Sequence, residues 1–285
     1  MIPGPETVKQ TGNKNNSPQV ISVTSGKGGV GKTSIVANMA ILLSAMGKKV
    51  LVFDADLGLA NIDVMLGLSS KYNINHLLQG DCKINDILIE GPAGIKILPA
   101  ASGIQELSAL SYEQQLTIVN ALDNFQGDFD YMLIDTGAGI SENVLYFNSA
   151  AQRIIVVVTP EPTSLTDAYS LIKVMRIRFN IKRFEIIIND VLSTYEGKDV
   201  IKKLIFACDK FFGDIALDML GSIPHDSNIT ESIREQRAFV EINPGSEASR
   251  RLASIVKRID SINAPQESGT LQFFFKRHIK NREKG

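Results

Sequence analysis

The chain has few cysteines, no long apolar run and little net charge, and each shortage argues against a class of protein. Its two cysteines, Cys82 and Cys208, lie far apart and form no C-x-x-C pair. Neither a disulfide framework nor a zinc or iron–sulfur site is therefore supported. No apolar run reaches the roughly 18 residues that a membrane-spanning helix needs. A formal net charge of −1 argues against a protein that coats nucleic acid by charge alone.

The composition fits a soluble globular protein. With 285 residues, 44% of them hydrophobic, the chain can bury the core of one large α/β domain. Residues 1–19 are polar and contain Pro, Gly, Asn, Lys and Thr. Because this segment lacks the apolar stretch of a signal peptide, we expect a flexible leader and a cytoplasmic protein.

Short β-branched runs alternate with helix-like stretches along the chain. This alternation predicts a single doubly wound, mostly parallel sheet with helices on both faces. In such a sheet, ligands bind outside the carboxyl ends of the strands. We therefore expect Asp54, Asp135 and Asn189, which end three of the apolar runs, to converge there. The predicted strands are 20–24, 50–53, 95–98, 131–134, 154–158, 184–188 and 217–223.

A glycine-rich segment after the first predicted strand carries the strongest motif. Gly26 to Thr33 fits G-x-x-x-x-G-K-[ST] and precedes a helix-like run at 35–43, which is the setting that a P-loop requires. Glycines let successive backbone N–H groups turn toward one point, where the helix N-terminus favours phosphate. Lys32 would neutralise the β- and γ-phosphates of ATP, and the Thr33 hydroxyl would bind Mg²⁺. The predicted nucleotide-binding residues of this segment are Gly26, Lys27, Gly28, Gly29, Val30, Gly31, Lys32, Thr33 and Ser34.

The segment holds a second lysine, Lys27, directly after its first glycine. Lys27 lies on the entrance side of the loop and is poorly placed to duplicate Lys32. Here the sequence resembles a family, because K-G-G-x-G-K-[ST] is similar to the deviant Walker A motif of the MinD/ParA ATPases. The resemblance implies an ATP-sandwiched homodimer in which Lys27 reaches the partner's phosphates, as an arginine finger supplied in trans does. The alternative is a solvated lysine on a loop.

Two aspartate motifs extend this resemblance. Asp54-Ala-Asp56 resembles the deviant Walker A′ motif, which implies that Asp56 orients the attacking water and that Asp54 lies near the solvation shell of Mg²⁺. Asp135-Thr-Gly-Ala-Gly139 resembles the Walker B aspartate with its switch II loop, which implies that Asp135 holds Mg²⁺ through water. The alternative for Asp56 and Asp135 is an aspartate at a strand end or a helix cap.

The remaining matches concern the edge of the nucleotide site. Glu161 resembles a residue that contacts nucleotide across the dimer, and Asn189 with the turn Pro224, His225, Asp226 resembles the adenine-facing elements. Residues of these types are also common in loops that bind nothing. We expect slow hydrolysis of ATP to ADP, since no side chain promises strong general-base catalysis. The predicted catalytic residues are Lys27, Lys32 and Asp56, and the predicted metal-binding residues are Thr33, Asp54 and Asp135.

Longer segments resemble a narrower family. Segments 54–68, 98–103, 161–173 and 271–275 look like the FlhG family (FleN in some bacteria), MinD-like regulators of flagellar number and placement. The resemblance implies that the protein works with the GTPase FlhF or that it restrains a σ54-dependent master activator such as FleQ. FlhG proteins that stimulate FlhF carry an N-terminal D-Q-A-x-x-L-R helix, which residues 1–19 lack, so we favour restraint of the activator.

Two other functions on the same scaffold stay open. One is a MinD-like regulator of the division site, against which only the FlhG-like segments argue. The other is a ParA-like ATPase that partitions DNA or cargo and binds DNA through basic C-terminal residues. The basic residues that could serve the second function are Arg250, Arg251, Lys257 and Arg258.

The end of the chain carries a basic amphipathic segment. After a predicted helix at 247–262, we interpret 263–270 as a linker and 271–285 as a tail with a net charge of +4. This pattern predicts a helix that binds anionic lipid at the inner membrane in the ATP-bound dimer, where two tails raise the avidity. The alternative is a helix docked on its own domain. The predicted membrane-facing residues are Leu271, Phe274, Phe275 and Ile279.

Overall fold

The computed structural model describes residues 18–57, 61–101, 107, 109–125 and 127–262. Residues 1–17 of the predicted leader, the linker at 263–270 and the tail at 271–285 lie outside this part of the chain. The predicted membrane-facing residues of the tail therefore have no structural description here. Their role and the domain boundaries stay predictions.

Strands and helices alternate throughout the described part. The strands are β1 (Gln19–Ser25), β2 (Val50–Ala55), β3 (Ile89–Glu90), β4 (Lys96–Leu98), β5 (Tyr131–Ala138), β6 (Arg153–Val158), β7 (Arg183–Val191) and β8 (Ala216–Pro224). The helices are α1 (Lys32–Ala45), α2 (Ile62–Met65), α3 (Ile74–Gln79), α4 (Ile84–Ile87), α5 (Tyr112–Asn124), α6 (Glu142–Ser149), α7 (Pro162–Phe179), α8 (Thr194–Phe211), α9 (Ser227–Arg234), α10 (Phe239–Ile242) and α11 (Glu247–Ser261).

The strands form one sheet in the spatial order β3-β4-β2-β5-β1-β6-β7-β8. The pair β3 and β4 is antiparallel, and the other neighbours are parallel. The prediction of a mostly parallel sheet is therefore confirmed, and each of the seven predicted strands is present. Strand β3 was not predicted, because two residues are too few to show a period. The central strand β1 pairs with both β5 and β6, which puts the end of β1 at a switch point where open α/β sheets bind ligands.

Successive side chains of each strand point to opposite faces of the sheet. Because these side chains are buried on both faces, helices cover both faces. On β1, Ile21 and Val23 pack in a core with α1, α10 and α11, whereas Val20 packs on the opposite face with α3, α5 and α6. On β6, Ile155 joins the first core and Ile154 packs with α7 and α8. Burial on both faces explains the continuous apolar runs of these strands.

A buried ion pair ties several elements together at the amino end of the sheet. Arg153, the first residue of β6, donates from Nε and Nη2 to the carboxylate of Glu185 on β7 at 2.9 and 2.6 Å. Its Nη1 donates to the Ile259 carbonyl near the end of α11 at 3.1 Å. The C-terminal helix is therefore anchored at this edge.

Three strands extend further than their apolar runs. Asp54, Asp135 and Asn189 lie inside β2, β5 and β7 rather than after them, because ladder pairing uses backbone groups and continues past a polar side chain. Asp54 and Asp135 are direct neighbours in the parallel pairing of β2 with β5. The two carboxylates are thus held by rigid strands. Within the described residues, no helix combines the length and the apolar character needed to cross a bilayer.

Candidate nucleotide site

The glycine-rich loop joins β1 to α1 and leaves the first turn of α1 open. Gly29 and Gly31 have φ of 78° and 88°, in the left-handed region that glycine adopts without strain. Gly31 is the residue before α1, and no side chain of the described residues caps this helix. Helices α5, α8 and α11, in contrast, are capped by serine hydroxyls. The uncapped N–H groups of α1 are available to an anion.

Two glycines of the loop are required by close contacts. A Cβ added at Gly26 would lie 2.1 Å from the carbonyl carbon of Asp167 on α7. A Cβ at Gly31 would lie 2.4 Å from Nδ2 of Asn189, which donates to the Val30 carbonyl at 2.9 Å. The loop therefore packs directly against α7 and the end of β7.

Lys32 and Asp135 meet at the floor of the site. Lys32 Nζ donates to Asp135 Oδ1 at 2.9 Å, and their side chains are 8% and 0% exposed. The other oxygen, Asp135 Oδ2, is buried and has no hydrogen-bond partner among the described residues. A buried carboxylate oxygen with an unused acceptor fits Mg²⁺ or a water molecule of its shell. The donor set at this floor therefore fits a magnesium nucleotide.

Asp54 adds a second buried carboxylate beside Asp135. It is 1% exposed and accepts backbone N–H bonds from Asp56 at 3.2 Å, Asn61 at 3.0 Å and Ile62 at 3.2 Å. Burial, and then the negative charge of Asp135, raise the pKa of Asp54, and the three backbone donors lower it. A divalent cation would relieve the repulsion between the two carboxylates.

Asp56 lies where the end of β2 approaches the switch II segment. The amide of Gly139 in this segment donates to the Ser25 carbonyl at 2.9 Å, which joins switch II to the start of the glycine-rich loop. A Cβ added at Gly137 would lie 3.5 Å from Asp56 Oδ1. The Asp56 carboxylate therefore borders the segment that follows Asp135.

Lys27 occupies a different environment from Lys32. Its ammonium group donates to the carboxylate of Glu161 and, at 3.0 Å, to Thr163 Oγ1. Its side chain is 35% exposed, against 8% for Lys32. The two lysines thus separate into one at the rim and one at the floor. Thr163 was not among the predicted site residues, and a threonine in the first turn of a helix carries no local sign of this contact.

The predicted adenine-facing residues lie at the ends of β7 and β8. The His225 amide donates to the Val191 carbonyl at 2.9 Å, and its Nδ1 is 2.6 Å from Asp190 Oδ1. Asp226 caps α9, since its Oδ1 accepts from the Asn228 amide at 3.0 Å. These contacts join the two strand ends beside Asn189. Pro224 is the last residue of β8, Thr33 is half-buried and Ser34 is buried in the first turn of α1.

Fold and loop together define a P-loop NTPase, and the comparison with protein families agrees. The family described as "ParA: NUBPL iron-transfer P-loop NTPase" matches residues 16–260, and the chain belongs to this family. The prediction of an ATPase of the MinD/ParA type is thereby confirmed. Cys82 and Cys208 pack against separate hydrophobic clusters, so the two thiols of this chain do not form one ligand pair.

Individual relatives narrow the comparison. The chain is 40% identical over 264 residues to the antiactivator FleN of Pseudomonas aeruginosa, covering 92% of this chain and 94% of FleN. It is 35% identical to the flagellum site-determining protein YlxH of Helicobacter pylori, covering 94% and 92% of the two chains. The septum site-determining protein MinD of Pyrococcus horikoshii, solved with Mg-ADP, superimposes with a TM-score of 0.68 at 25% identity, covering 86% and 97%. The predicted resemblance to the FlhG and FleN proteins is confirmed.

Proposed function

We propose that this chain is an ATP-dependent dimerising switch that hydrolyses ATP slowly and regulates the number or placement of flagella. The observation that carries the proposal is the separation of the two P-loop lysines. Lys32 is buried against Asp135, whereas Lys27 is held at the exposed rim by Glu161 and Thr163. A cation at the rim can reach a second subunit, and a cation at the floor cannot. The similarity to the antiactivator FleN and to the flagellum site-determining protein YlxH supports the flagellar assignment.

Different residues of one subunit would hold ATP and Mg²⁺. When bound, ATP would supply the phosphoanhydride bond that water cleaves, and Mg²⁺ would supply positive charge at the phosphates. Lys32 and the open N–H groups of α1 bind the phosphates. Thr33 and Asp135 would hold the metal, with Asp54 beside them. Asp56 orients water at the switch II segment, a positioning role that fits slow hydrolysis. The adenine base would be bordered by Asn189, Pro224, His225 and Asp226.

Lys27 supplies the link between nucleotide state and assembly. A ligand shifts an equilibrium only by its different affinity for the two states. In the single subunit Lys27 pairs with one carboxylate, that of Glu161, whereas in the dimer it would face the several negative charges of the partner's triphosphate. Glu161, once released, is free to contact nucleotide across the interface. ATP therefore favours the dimer more than ADP does.

The ATP-bound dimer would restrain a σ54-dependent activator, a FleQ-like protein. The GTPase FlhF is the second candidate partner. The higher identity to a protein named an antiactivator favours the first. The basic tail, outside the described residues, would bring the ATP-bound dimer to the inner membrane, where paired tails bind more tightly than one.

Light scattering tests the switch directly. The purified chain is loaded with Mg²⁺ and a non-hydrolysable ATP analogue, or with ADP. We expect a dimer in the first condition, a monomer in the second, and a monomer in both for Lys27→Ala. The control is Lys173→Ala, an exposed lysine on α7, which should behave as the parent does. A parent chain that stays monomeric with the analogue would remove the switch and leave a nucleotide-binding protein.

A ParA-like role in DNA binding is less well supported. Arg250 and Arg251 both pair with Glu247, at 2.8 and 2.9 Å, and Arg258 donates to the Met219 carbonyl at 2.8 Å. Glu247 offsets one of these positive charges, and the exposed Lys257 belongs to the same patch. Salt-dependent binding to random duplex DNA would favour this alternative.

A MinD-like role at the division site is the second candidate, because the fold superimposes on MinD. Deletion of the gene in a flagellated host separates the two. Altered flagellar number with normal division supports the flagellar role, and minicells with normal flagella support the MinD-like role.

A further inference from the structure

Helix α8 presents large apolar side chains to solvent. Leu192, two residues before the helix, is 82% exposed, Tyr195 in its first turn is 79% exposed and Phe206 is 71% exposed. Exposed apolar residues that occur singly need no explanation, but several on one element mark an interaction surface. The nucleotide site uses none of these residues.

Tyr195, Lys202 and Phe206 form one stripe along α8. They are spaced by seven and then four residues, which returns to the same side of a helix with 3.6 residues per turn. Tyr195 and Phe206 are about 16 Å apart along the axis, from a rise of about 1.5 Å per residue. The opposite side of the helix is buried, with Val200 and Leu204 packed in the core. The stripe therefore faces directly away from the domain.

The stripe is basic although the chain as a whole is slightly acidic. Over the whole of α8, Thr194–Phe211, the sequence holds four lysines, two aspartates and one glutamate, a net charge of +1 against −1 for the whole chain. Asp199 pairs with Lys203 at 2.6 Å, so these two charges offset each other. Lys198 and Lys202 are exposed beside the aromatic rings. A complementary surface is negatively charged and accepts aromatic side chains.

The shape of this surface favours a bilayer over a protein groove. Side chains that are 71 to 82% exposed project from the molecule and do not line a concave pocket. Projecting aromatic residues flanked by lysines suit the headgroup layer of a membrane, where rings insert and lysine stems extend to lipid phosphates. The face is convex, basic and aromatic at once.

The position of α8 in the fold agrees with this occupant. Helix α8 ends at Phe211, and β8 then starts beside Arg183, the first residue of β7. Helix α11 ends at the same edge, where the Ile259 carbonyl accepts from Arg153, the first residue of β6. The chain therefore leaves its last described helix at the edge of the sheet toward which α8 runs, with α11 and α8 on opposite faces of the sheet.

We propose that the outer face of α8, made by Leu192, Tyr195, Lys198, Lys202 and Phe206, binds the anionic surface of a membrane. The inference deepens the proposed membrane association by adding a contact within the folded domain, and it rests on that part of the proposed function. The tail alone would leave the domain free to rotate. A second contact on α8 fixes which side of the domain faces the bilayer.

A single tryptophan reports on this face without interference, because the chain contains none. Phe206→Trp keeps an aromatic ring on the stripe. The matched control is Tyr112→Trp on α5, a ring that is 63% exposed and lies outside the face. Both full-length variants are mixed with vesicles of phosphatidylcholine alone or with 30% phosphatidylglycerol, with Mg²⁺ and the ATP analogue. Tryptophan emission, quenching by brominated lipid and vesicle sedimentation are measured together.

We expect the tryptophan at position 206 to shift to the blue and to be quenched by brominated lipid on anionic vesicles only. The tryptophan at position 112 should not respond. Lys202→Glu combined with Phe206→Ser should sediment at least fivefold less on the same vesicles, because it removes a ring and reverses a charge. Unchanged dimerisation and melting temperature of that variant would show that the loss is local.

Three results would overturn the proposal. The first is a vesicle-bound protein whose tryptophan at 206 is silent, which means that another segment binds alone. The second is a protein that does not sediment at all although light scattering shows the ATP-dependent dimer, which refutes membrane binding but not the switch. The third is photo-crosslinking from position 206 to a host protein in place of lipid, which would assign the face to a protein partner.

Discussion

Gly26→Ala tests whether the glycine-rich loop is packed against α7 as tightly as the structure indicates. The added Cβ would lie 2.1 Å from the carbonyl carbon of Asp167, 2.2 Å from its oxygen and 2.5 Å from the amide nitrogen of Ala168. All three atoms belong to backbone inside a helix, so no side-chain rotation relieves the contact. Either the loop or α7 must move.

The required movement sets the size of the effect. Ordinary contact begins at 3.4 Å, so the two segments must separate by about 1.3 Å, the difference from 2.1 Å. Overpacking of this kind costs about 3 kcal/mol, at the upper end of the usual range. For a domain somewhat larger than 200 residues, that loss corresponds to roughly 6–12 °C in melting temperature. The same movement would carry Glu161 and Thr163 away from Lys27.

The assay is thermal unfolding without nucleotide, followed by circular dichroism. Gly28→Ala is the matched control in the same loop, because no atom lies within 4 Å of its added Cβ and its φ is not positive. We expect Gly28→Ala to melt within about 2 °C of the parent, since surface changes cost at most a few tenths of a kcal/mol. If Gly26→Ala melts with the control, the contact between the loop and α7 is not as described.

Three further predictions concern single residues. Arg153→Met should lower the free energy of unfolding, measured in urea, by about 3–5 kcal/mol, because it leaves the buried Glu185 carboxylate without its partner. Adding Glu185→Leu should restore most of the lost stability. If stability does not recover in the double variant, the loss of the charge pair is not the cause. Asp56→Ala should still dimerise with ATP but release phosphate at least tenfold more slowly, and an unchanged rate would remove Asp56 from the mechanism. Lys32→Met should weaken ATP binding at least a hundredfold by calorimetry, because it removes the cation at the phosphates.

Much of the fold could be predicted because the signals are local. A parallel strand inside a sheet needs an apolar run of its own, and the edge strand β8 also carries one although it is mostly half-buried. The seven longer strands could therefore be predicted from the sequence. The P-loop is also local, since strand, glycines, Lys32 and helix follow each other within about 25 residues. Strand β3 left no mark because it is two residues long and pairs with β4 at the sheet edge.

The contacts of Lys27 within one subunit could not be predicted from the local sequence. Glu161 was predicted as a partner of nucleotide across the dimer, and the structure adds that in one subunit it holds Lys27 from 134 residues away. Thr163 completes this contact from 136 residues away. Contacts between residues so far apart in the sequence depend on which strands become neighbours and on how their helices tilt. Neither can be predicted from a short segment.

The sequence by itself determined the class of protein, the phosphate-binding loop and the alternation of strands and helices. These features depend on backbone preferences and on the spacing of buried side chains, both of which act among neighbouring residues. Only the tertiary structure decided that β1 lies between β5 and β6, that Gly26 touches α7, and that no other described residue covers the outer face of α8. Those outcomes depend on packing among segments far apart in the chain, where many arrangements share the same local pattern and the best-packed one is selected.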